Sequence, residues 1–128
     1  TNTTGQYNNA FGNDALKVNT ASSNSAFGHA ALVANTTGSL NTAVGANALA
    51  TNVSGGDNVA VGNNALTVST GSRNTALGYN AMTDTTSGQD NTAVGFGSLG
   101  NNTTASNNPA VGKSALSANT SGYRCFWS

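Results

Sequence analysis

A tandem repeat of 16 or 17 residues is the feature that most constrains how this chain folds. The string Asn-x-Ala-(Phe/Val/Leu)-Gly occurs seven times, and most copies are followed by Ala-Leu three and four residues after the glycine. A repeat this regular predicts one structural unit per period, stacked on identical neighbours. The seven repeat glycines are Gly12, Gly28, Gly45, Gly62, Gly78, Gly95 and Gly112.

The length of the repeat excludes the common helical arrays, whose units need about 33 to 47 residues to hold two helices and a turn. The unit is also rich in Gly, Asn and Thr, which are poor helix formers. One coil of a β-solenoid, with short strands joined by turns, fits the available length. We therefore expect an all-β parallel β-solenoid, or β-roll, of about 17 residues per coil. We expect residues 1–122 to form this solenoid, with the strands of successive coils paired about 4.8 Å apart.

The repeat also predicts where strands and turns lie within each coil. Asn-Thr-Ala-Val-Gly is the expected first strand, and alternate side chains of a strand point to opposite faces. The apolar residue before the glycine therefore faces one way, and Ala and Gly face the other. Ala-Leu is expected in a second strand or in a turn. The segment Thr-Ser-Gly closes the coil, and we expect its glycine to have a positive φ.

An Asn stands four residues before every repeat glycine. Stacking of the coils places these side chains above one another. We expect either a ladder in which the amides bond to the copies above and below, as in other stacked strands, or a set of turn-forming residues. The role is structural in both cases. These residues are Asn8, Asn24, Asn41, Asn58, Asn74, Asn91 and Asn108.

The composition disfavours several classes of function. Charged residues make up only 6% of the chain and the net charge is zero, so there is no basic stripe for nucleic acid. No apolar run approaches the roughly 20 residues of a membrane helix, so we expect no membrane insertion. The titratable residues form no catalytic or metal-binding motif. Asp57 and Asp90, which share a position in the repeat, lie two coils and about 10 Å apart. We expect no enzyme activity, no catalytic, metal-binding or cofactor-binding residue, and no cofactor.

Each coil supplies two sizeable apolar side chains, one before the repeat glycine and the Leu or Met four residues after it. Complete burial of one such side chain stabilises by roughly 1.5–3 kcal/mol. Ordering the backbone costs about 1–2 kcal/mol for each residue, so two side chains do not offset a whole coil. Further burial against copies of the same chain is therefore expected, most simply in a parallel homotrimer.

Two known repeat families carry similar motifs. The segment Asn41-Thr42-Ala43-Val44-Gly45, followed by Ala48, resembles the Ser-Val-Ala-Ile-Gly-x-x-Ala repeat of trimeric autotransporter adhesin heads, whose period is shorter. The longer form, with Asn-Thr-Ala-Val-Gly-x-Asn-Ala-Leu and Asn-Thr-Thr-Gly, is similar to repeat arrays of bacteriophage tail fibres. The resemblance covers residues 1–122. It implies an intertwined homotrimer outside the cell, on a virion tail fibre or a bacterial surface. There it forms a structural shaft or adhesin segment that holds a receptor-binding tip away from the particle or cell.

The residue after the repeat glycine varies most, which indicates an outward side chain. We predict that His29, Tyr79, Phe96 and Lys113 are a surface for contact with a cell-surface receptor or glycan. The other interpretation is that these positions vary because nothing packs on them. A third possibility is a single-chain ice-binding solenoid. It draws on a row of threonines that Val53 interrupts: Thr20, Thr36, Thr70, Thr86, Thr103 and Thr120.

The last coils depart from the pattern. Pro109 occupies a strand position and has no N–H to donate, so we expect a local distortion or bulge there. Gly97 and Ser98 replace the usual Asn and Ala, which makes that unit the least regular. Residues 123–128 form a non-repeat tail. It is either a frameshifted repeat, because Asn-Ala-Ala-Phe-Gly codons read two bases later encode Arg-Cys-Phe-Trp-Ser, or the start of another domain. The chain opens in mid-repeat, so we expect a longer parent protein.

Overall fold

The computed structural model describes residues 4–122, which form a parallel β-solenoid of about six turns without a helix. One three-residue strand occurs in each repeat, and the all-β solenoid expected from the period is confirmed. The tail at residues 123–128, with its frameshift hypothesis, lies outside the described residues. The strands are β1 (Asn9–Phe11), β2 (Ser25–Phe27), β3 (Thr42–Val44), β4 (Val59–Val61), β5 (Thr75–Leu77), β6 (Thr92–Val94) and β7 (Pro109–Val111).

The seven strands form a single sheet in sequence order, and every neighbouring pair is parallel and in register. The alanine of each strand lies beside the alanine of the next, as with Ala43 and Ala60. On both sides of this position, backbone hydrogen bonds of 2.8 Å join Thr42 N–H to the Asn58 carbonyl and Gly62 N–H to the Val44 carbonyl. Like residues therefore stack in columns that run along the solenoid.

The Ala-Leu segment lies in turns, so each coil has one strand rather than two. In the coil that follows β2, Ala31 N–H donates to the Gly28 carbonyl and Val33 N–H donates to the Ala30 carbonyl, both over 3.3 Å. The third residue of each turn has a positive φ, 54° at Ala30 and 51° at Leu32. A positive φ at that position is the mark of a type II turn. Two overlapping type II turns thus reverse the chain within the six residues 28–33.

The expected positive φ at the glycine of the Thr-Ser-Gly segment is wrong. Gly38, Gly55, Gly71 and Gly88 all lie outside the positive-φ region, whereas the repeat glycines have values such as 127° at Gly45. The positive φ near the return falls instead two residues later, at Leu40 (62°). Because φ at the glycine of the Thr-Ser-Gly segment is not positive, another residue type can occupy this position. In a later coil it is Ala105, which is buried.

The core is thin and half polar. Within one coil, Ala43, Ala48 and Leu49 have no exposed surface, and two asparagine columns share the interior with them. The apolar residue before each glycine points outward from the sheet, so Leu77 remains 47% exposed. Of the two sizeable apolar side chains per coil, a single chain therefore buries only the Leu or Met.

The bulge expected at Pro109 is absent, since Pro109 pairs in register with Thr92. In the other coils, the N–H at this position donates to the coil that follows, as Thr92 N–H donates to the Asn108 carbonyl. An N–H at residue 109 would point to the side of β7 that faces away from β6, where no described strand lies. The pairing with the preceding coil needs only carbonyl acceptors from this part of β7, which proline retains.

Candidate functional site

The asparagine column four residues before the repeat glycine joins each coil to the next. The side-chain Oδ1 of Asn41 accepts a hydrogen bond of 3.0 Å from the backbone N–H of Asn58. Its Nδ2 donates over 2.8 Å to the carbonyl of Gly55, also in the next coil. These bonds run from amide to backbone; direct bonds between amides are rare in this column, one being Asn91 to Asn74 at 3.2 Å. The same Oδ1-to-N–H pattern runs through Asn8, Asn24, Asn41, Asn58, Asn74, Asn91 and Asn108.

A second asparagine column, seven residues after the repeat glycine, forms direct bonds between amides. Asn35 donates to the Oδ1 of Asn19 over 2.6 Å, and Asn52 donates to Asn35 over 2.9 Å. Ser69 and Thr85 then interrupt the column, and the Asn52 Oδ1 and both hydroxyls have no hydrogen-bond partner. Our reading of the sequence missed this ladder. The recurrence of Asn at one position of the repeat was the signal that could have revealed it.

The four residues predicted as a surface for contact are all exposed, and the structure brings three of them together. The rings of Tyr79 and Phe96 stack with centroids 5.4 Å apart and an interplanar angle of 11°. The Nζ of Lys113 lies 6.0 Å from the centroid of the Phe96 ring. His29 lies three coils before Tyr79 and has Asn13 as its neighbour, with 3.5 Å between Nδ1 and the amide nitrogen.

A groove with a volume of about 300 Å³ opens beside Phe96. It exists because two glycines, Gly97 and Gly100, stand where other coils carry side chains. A Cβ atom added to Gly97 would meet only the Oγ of Ser114, at 3.8 Å, so this glycine faces open space. The irregularity at Gly97 that the sequence shows is thus a surface feature, and the strands on both sides keep their register.

The groove is lined by one aromatic ring and several hydrogen-bonding groups. Asp84 supplies a carboxylate, Asn80 and Asn101 supply amides, and Thr83 and Ser117 supply hydroxyls. The Thr83 hydroxyl is engaged, since it donates to the Asn80 carbonyl over 2.8 Å. No Lys, Arg or His side chain is among the lining residues of this groove. Its chemistry is therefore that of an apolar wall facing hydrogen-bond donors and acceptors.

The Asp57 and Asp90 column contains an arginine that our reading of the sequence overlooked. Arg73 lies between them, and its Nε and Nη2 donate to the two carboxylate oxygens of Asp90 over 2.6 and 3.0 Å. Nη2 also donates to Gln89 over 2.9 Å. Hydrogen bonding to Arg73 lowers the pKa of Asp90 below its ordinary value, and the same bond raises the pKa of Arg73. This exposed ion pair fastens two neighbouring coils together.

A column of apolar side chains covers the outer face of the sheet. It consists of the residue before each repeat glycine, and all seven are Phe, Val or Leu. Phe11 is the most exposed, at 77%. Contiguous apolar surface of this kind marks a place where another surface binds. We call it the apolar column, and its members are Phe11, Phe27, Val44, Val61, Leu77, Val94 and Val111.

Residues 4–122 contain neither a cluster of metal-binding side chains nor a helix that could span a membrane. No three His, Cys, Asp or Glu side chains of this region lie close enough to hold a metal ion. Within the same residues, no helix has the length and apolar character needed to cross a membrane. The features that remain are the apolar column and the groove beside Phe96.

Comparison with protein-family models, with curated proteins and with solved structures finds no match to this chain. Function must therefore be inferred from the repeat and from the surfaces that the solenoid presents.

Proposed function

We propose that this chain is a section of an extracellular fibre. It forms a structural shaft or adhesin segment of a phage tail fibre or a trimeric surface adhesin, and holds a receptor-binding tip away from the particle or cell. Its principal partner is itself, in an intertwined homotrimer. The observation that carries the proposal is the apolar column, which runs unbroken along the outer face of a sheet in register.

The apolar column supports association along the length of the solenoid. Its residues recur once per coil, so a second copy aligned in parallel meets the same side chain at every step. Burial of apolar surface is worth about 25 cal/mol per Å², and a single chain leaves Leu77 and Phe11 exposed. Association thus supplies the burial that the thin core lacks. A three-fold axis allows all three columns to meet at the centre of a fibre.

The stacking supports a shaft because each coil contacts mainly its two neighbours. Such an array is quasi-one-dimensional, and its length is set by the number of repeats. About six turns at about 4.8 Å each rise only about 29 Å, which is short for a fibre. A longer parent chain with more repeats, and a tip at its end, is therefore part of the proposal.

Duplication of internal coils tests the shaft directly. A second copy of residues 29–78, inserted after Gly78, adds three coils without changing the phase of the repeat. We expect the maximum dimension measured by small-angle X-ray scattering to increase by about 14 Å, with the cross-section unchanged. A particle that grows in cross-section, or unfolds, would contradict a shaft built from additive coils.

The threonine row, which suggests ice binding, has a structural use. The hydroxyl of Thr20 donates to the Thr36 carbonyl over 2.8 Å, and that of Thr86 donates to the Thr103 carbonyl over 2.9 Å. Because these protons are engaged between coils, we favour a role in stacking over one in organising water. Thermal hysteresis of the freezing point is the measurement that distinguishes the two roles, and the fibre proposal predicts none.

A further inference from the structure

We propose that the groove beside Phe96 is a binding site for a neutral saccharide, with one sugar ring seated against Phe96. The site lies within a single chain and is formed by three successive coils. It is independent of the fibre proposal, because the apolar column supplies none of its lining groups.

The first support is that the groove is made by missing side chains rather than by loose packing. Asparagines occupy the Gly97 position in the three preceding coils and bond to one another, Asn47 to Asn64 over 3.2 Å and Asn64 to Asn80 over 3.3 Å. Gly97 ends this row. The Oδ1 of Asn80 accepts from Asn64, and Asn80 lines the groove.

The second support is that neighbouring coils hold the aromatic wall in place. Tyr79 stacks on the Phe96 ring from the preceding coil, and Lys113 approaches the ring from the following coil. Stacked aromatic pairs at this separation are favourable. Phe96 is nevertheless 53% exposed and lines the groove, so the part of its ring that Tyr79 and Lys113 leave uncovered is an ordered apolar surface. A ligand that covers it gains apolar contact with little ordering of the protein.

The third support is the match between the lining groups and a sugar. Asp84 accepts two or more hydrogen bonds, and the amides of Asn80 and Asn101 both donate and accept. Hydroxyl groups both donate and accept, so a polyhydroxylated ring satisfies all of these groups at once. The lining residues include one carboxylate and no cationic side chain, and the nearby Lys113 ammonium lies over the Phe96 ring. A volume of about 300 Å³ is at the lower end of small-molecule sites, and it suits one or two sugar rings.

The test is a nuclear magnetic resonance titration of the full chain with the methyl glycosides of glucose, galactose and mannose. We expect saturable shifts of the Gly97 and Gly100 amides and of the Phe96 ring with at least one glycoside. G97N fills the groove, and it is expected to fold because Asn80 holds the equivalent position at a φ of 55°, against 62° at Gly97. D84N leaves the groove open but exchanges the carboxylate for an amide. Each change is expected to weaken binding about tenfold or more.

D57N is the matched control, because it removes one exposed carboxylate that does not line the groove. We expect it to leave the affinity unchanged. Binding that persists in G97N, with the fold intact by circular dichroism, would overturn the proposal. So would the absence of saturable shifts with every neutral glycoside. Preferential binding of N-acetylneuraminic acid or spermidine to the groove would also overturn it, since both are charged.

Discussion

Asn52 donates a hydrogen bond of 2.9 Å to the side-chain oxygen of Asn35, yet its own buried Oδ1 has no partner. The next residue of this column is Ser69, whose shorter side chain does not reach it, and Thr85 follows one coil later. Both hydroxyls are likewise unpartnered. A buried polar group without a hydrogen bond costs about 1–3 kcal/mol. The interruption of this amide ladder is therefore a local weak point of the solenoid.

Restoring the ladder with the double variant S69N/T85N is expected to stabilise the fold by about 2 kcal/mol. The coil at Ser69 is one residue shorter than its neighbours, as is the coil at Asn19, where the amide donates to the Ala21 carbonyl over 2.7 Å. An asparagine at 69 can therefore bond in the same way. The free energy of unfolding from guanidinium titration is the measurement. S69A/T85V is the control: it removes the two unpartnered hydroxyls but leaves the Asn52 oxygen without a partner, so it should be less stable than the double asparagine variant. A double asparagine variant less stable than this control would be inconsistent with the ladder.

The repeat glycines are expected to be intolerant of any side chain. Gly78 has a φ of 141°, and a Cβ atom there would lie 2.6 Å from the Gly95 carbonyl oxygen. Both the strained φ and the contact between coils oppose Gly78→Ala, and backbone strain alone costs about 1–3 kcal/mol. Gly97→Asn is the control, since its Cβ meets no atom closer than 3.8 Å and Asn80 holds the equivalent position at a φ of 55°. Thermal unfolding followed by circular dichroism should show a large loss for the first variant and a small change for the second. Equal melting temperatures would show that the coils do not approach as closely as described.

Removal of Arg73 is expected to raise the pKa of Asp90 toward its ordinary value of 3.8, because the hydrogen bond that favours the carboxylate is lost. A carboxyl group with a depressed folded-state pKa stabilises the fold above its unfolded-state pKa, and that contribution disappears as the pH falls through the folded-state pKa. The ion pair is exposed, so the effect on stability should be small. Titration of the Asp90 side-chain carbon by nuclear magnetic resonance in Arg73→Gln measures the shift. Lys113→Gln should leave it unchanged, and an unaltered pKa in Arg73→Gln would exclude Arg73 as the cause.

A charge in the apolar column is expected to prevent association. In the proposed trimer, Leu77→Glu places three carboxylates near one axis, and each buried charge costs several kcal/mol. Val68→Glu is the matched control, because Val68 is similarly exposed but lies outside the column. Sedimentation velocity should show a loss of the oligomer for Leu77→Glu only. Dissociation by both variants to the same degree would indicate that the column is not the interface.

The regular part of the fold was predictable from the sequence, because identical positions in each repeat must stack. The period predicts one coil for each repeat. Ala43 and Val44 are adjacent in a strand, so they are predicted to point to opposite faces of the sheet. Which of the two faces lies against the core was not predictable. Val44 and Leu49 are both apolar in every copy of the repeat, and only the path of the turns decides that Leu49 is buried.

The turns and the groove were harder to foresee for different reasons. Leu32 and Ala30 have a positive φ although neither is Gly or Asn. The residue types therefore do not predict the two type II turns. Hydrogen bonds to the neighbouring coils stabilise these turns. The groove arises from Gly97 and Gly100, which occupy different positions of one repeat and meet only once the coil is closed. Arg73 was missed because the two aspartates of its column were considered without the residue between them.

Sedimentation equilibrium of the full chain tests the central claim most directly. The fibre proposal predicts a single folded species with a mass three times that of the 12.6 kDa chain, stable on dilution and with a far-ultraviolet spectrum of β-structure. A folded monomer that keeps the same spectrum at the lowest measurable concentration would contradict it, because one chain would then be stable with its apolar column in water.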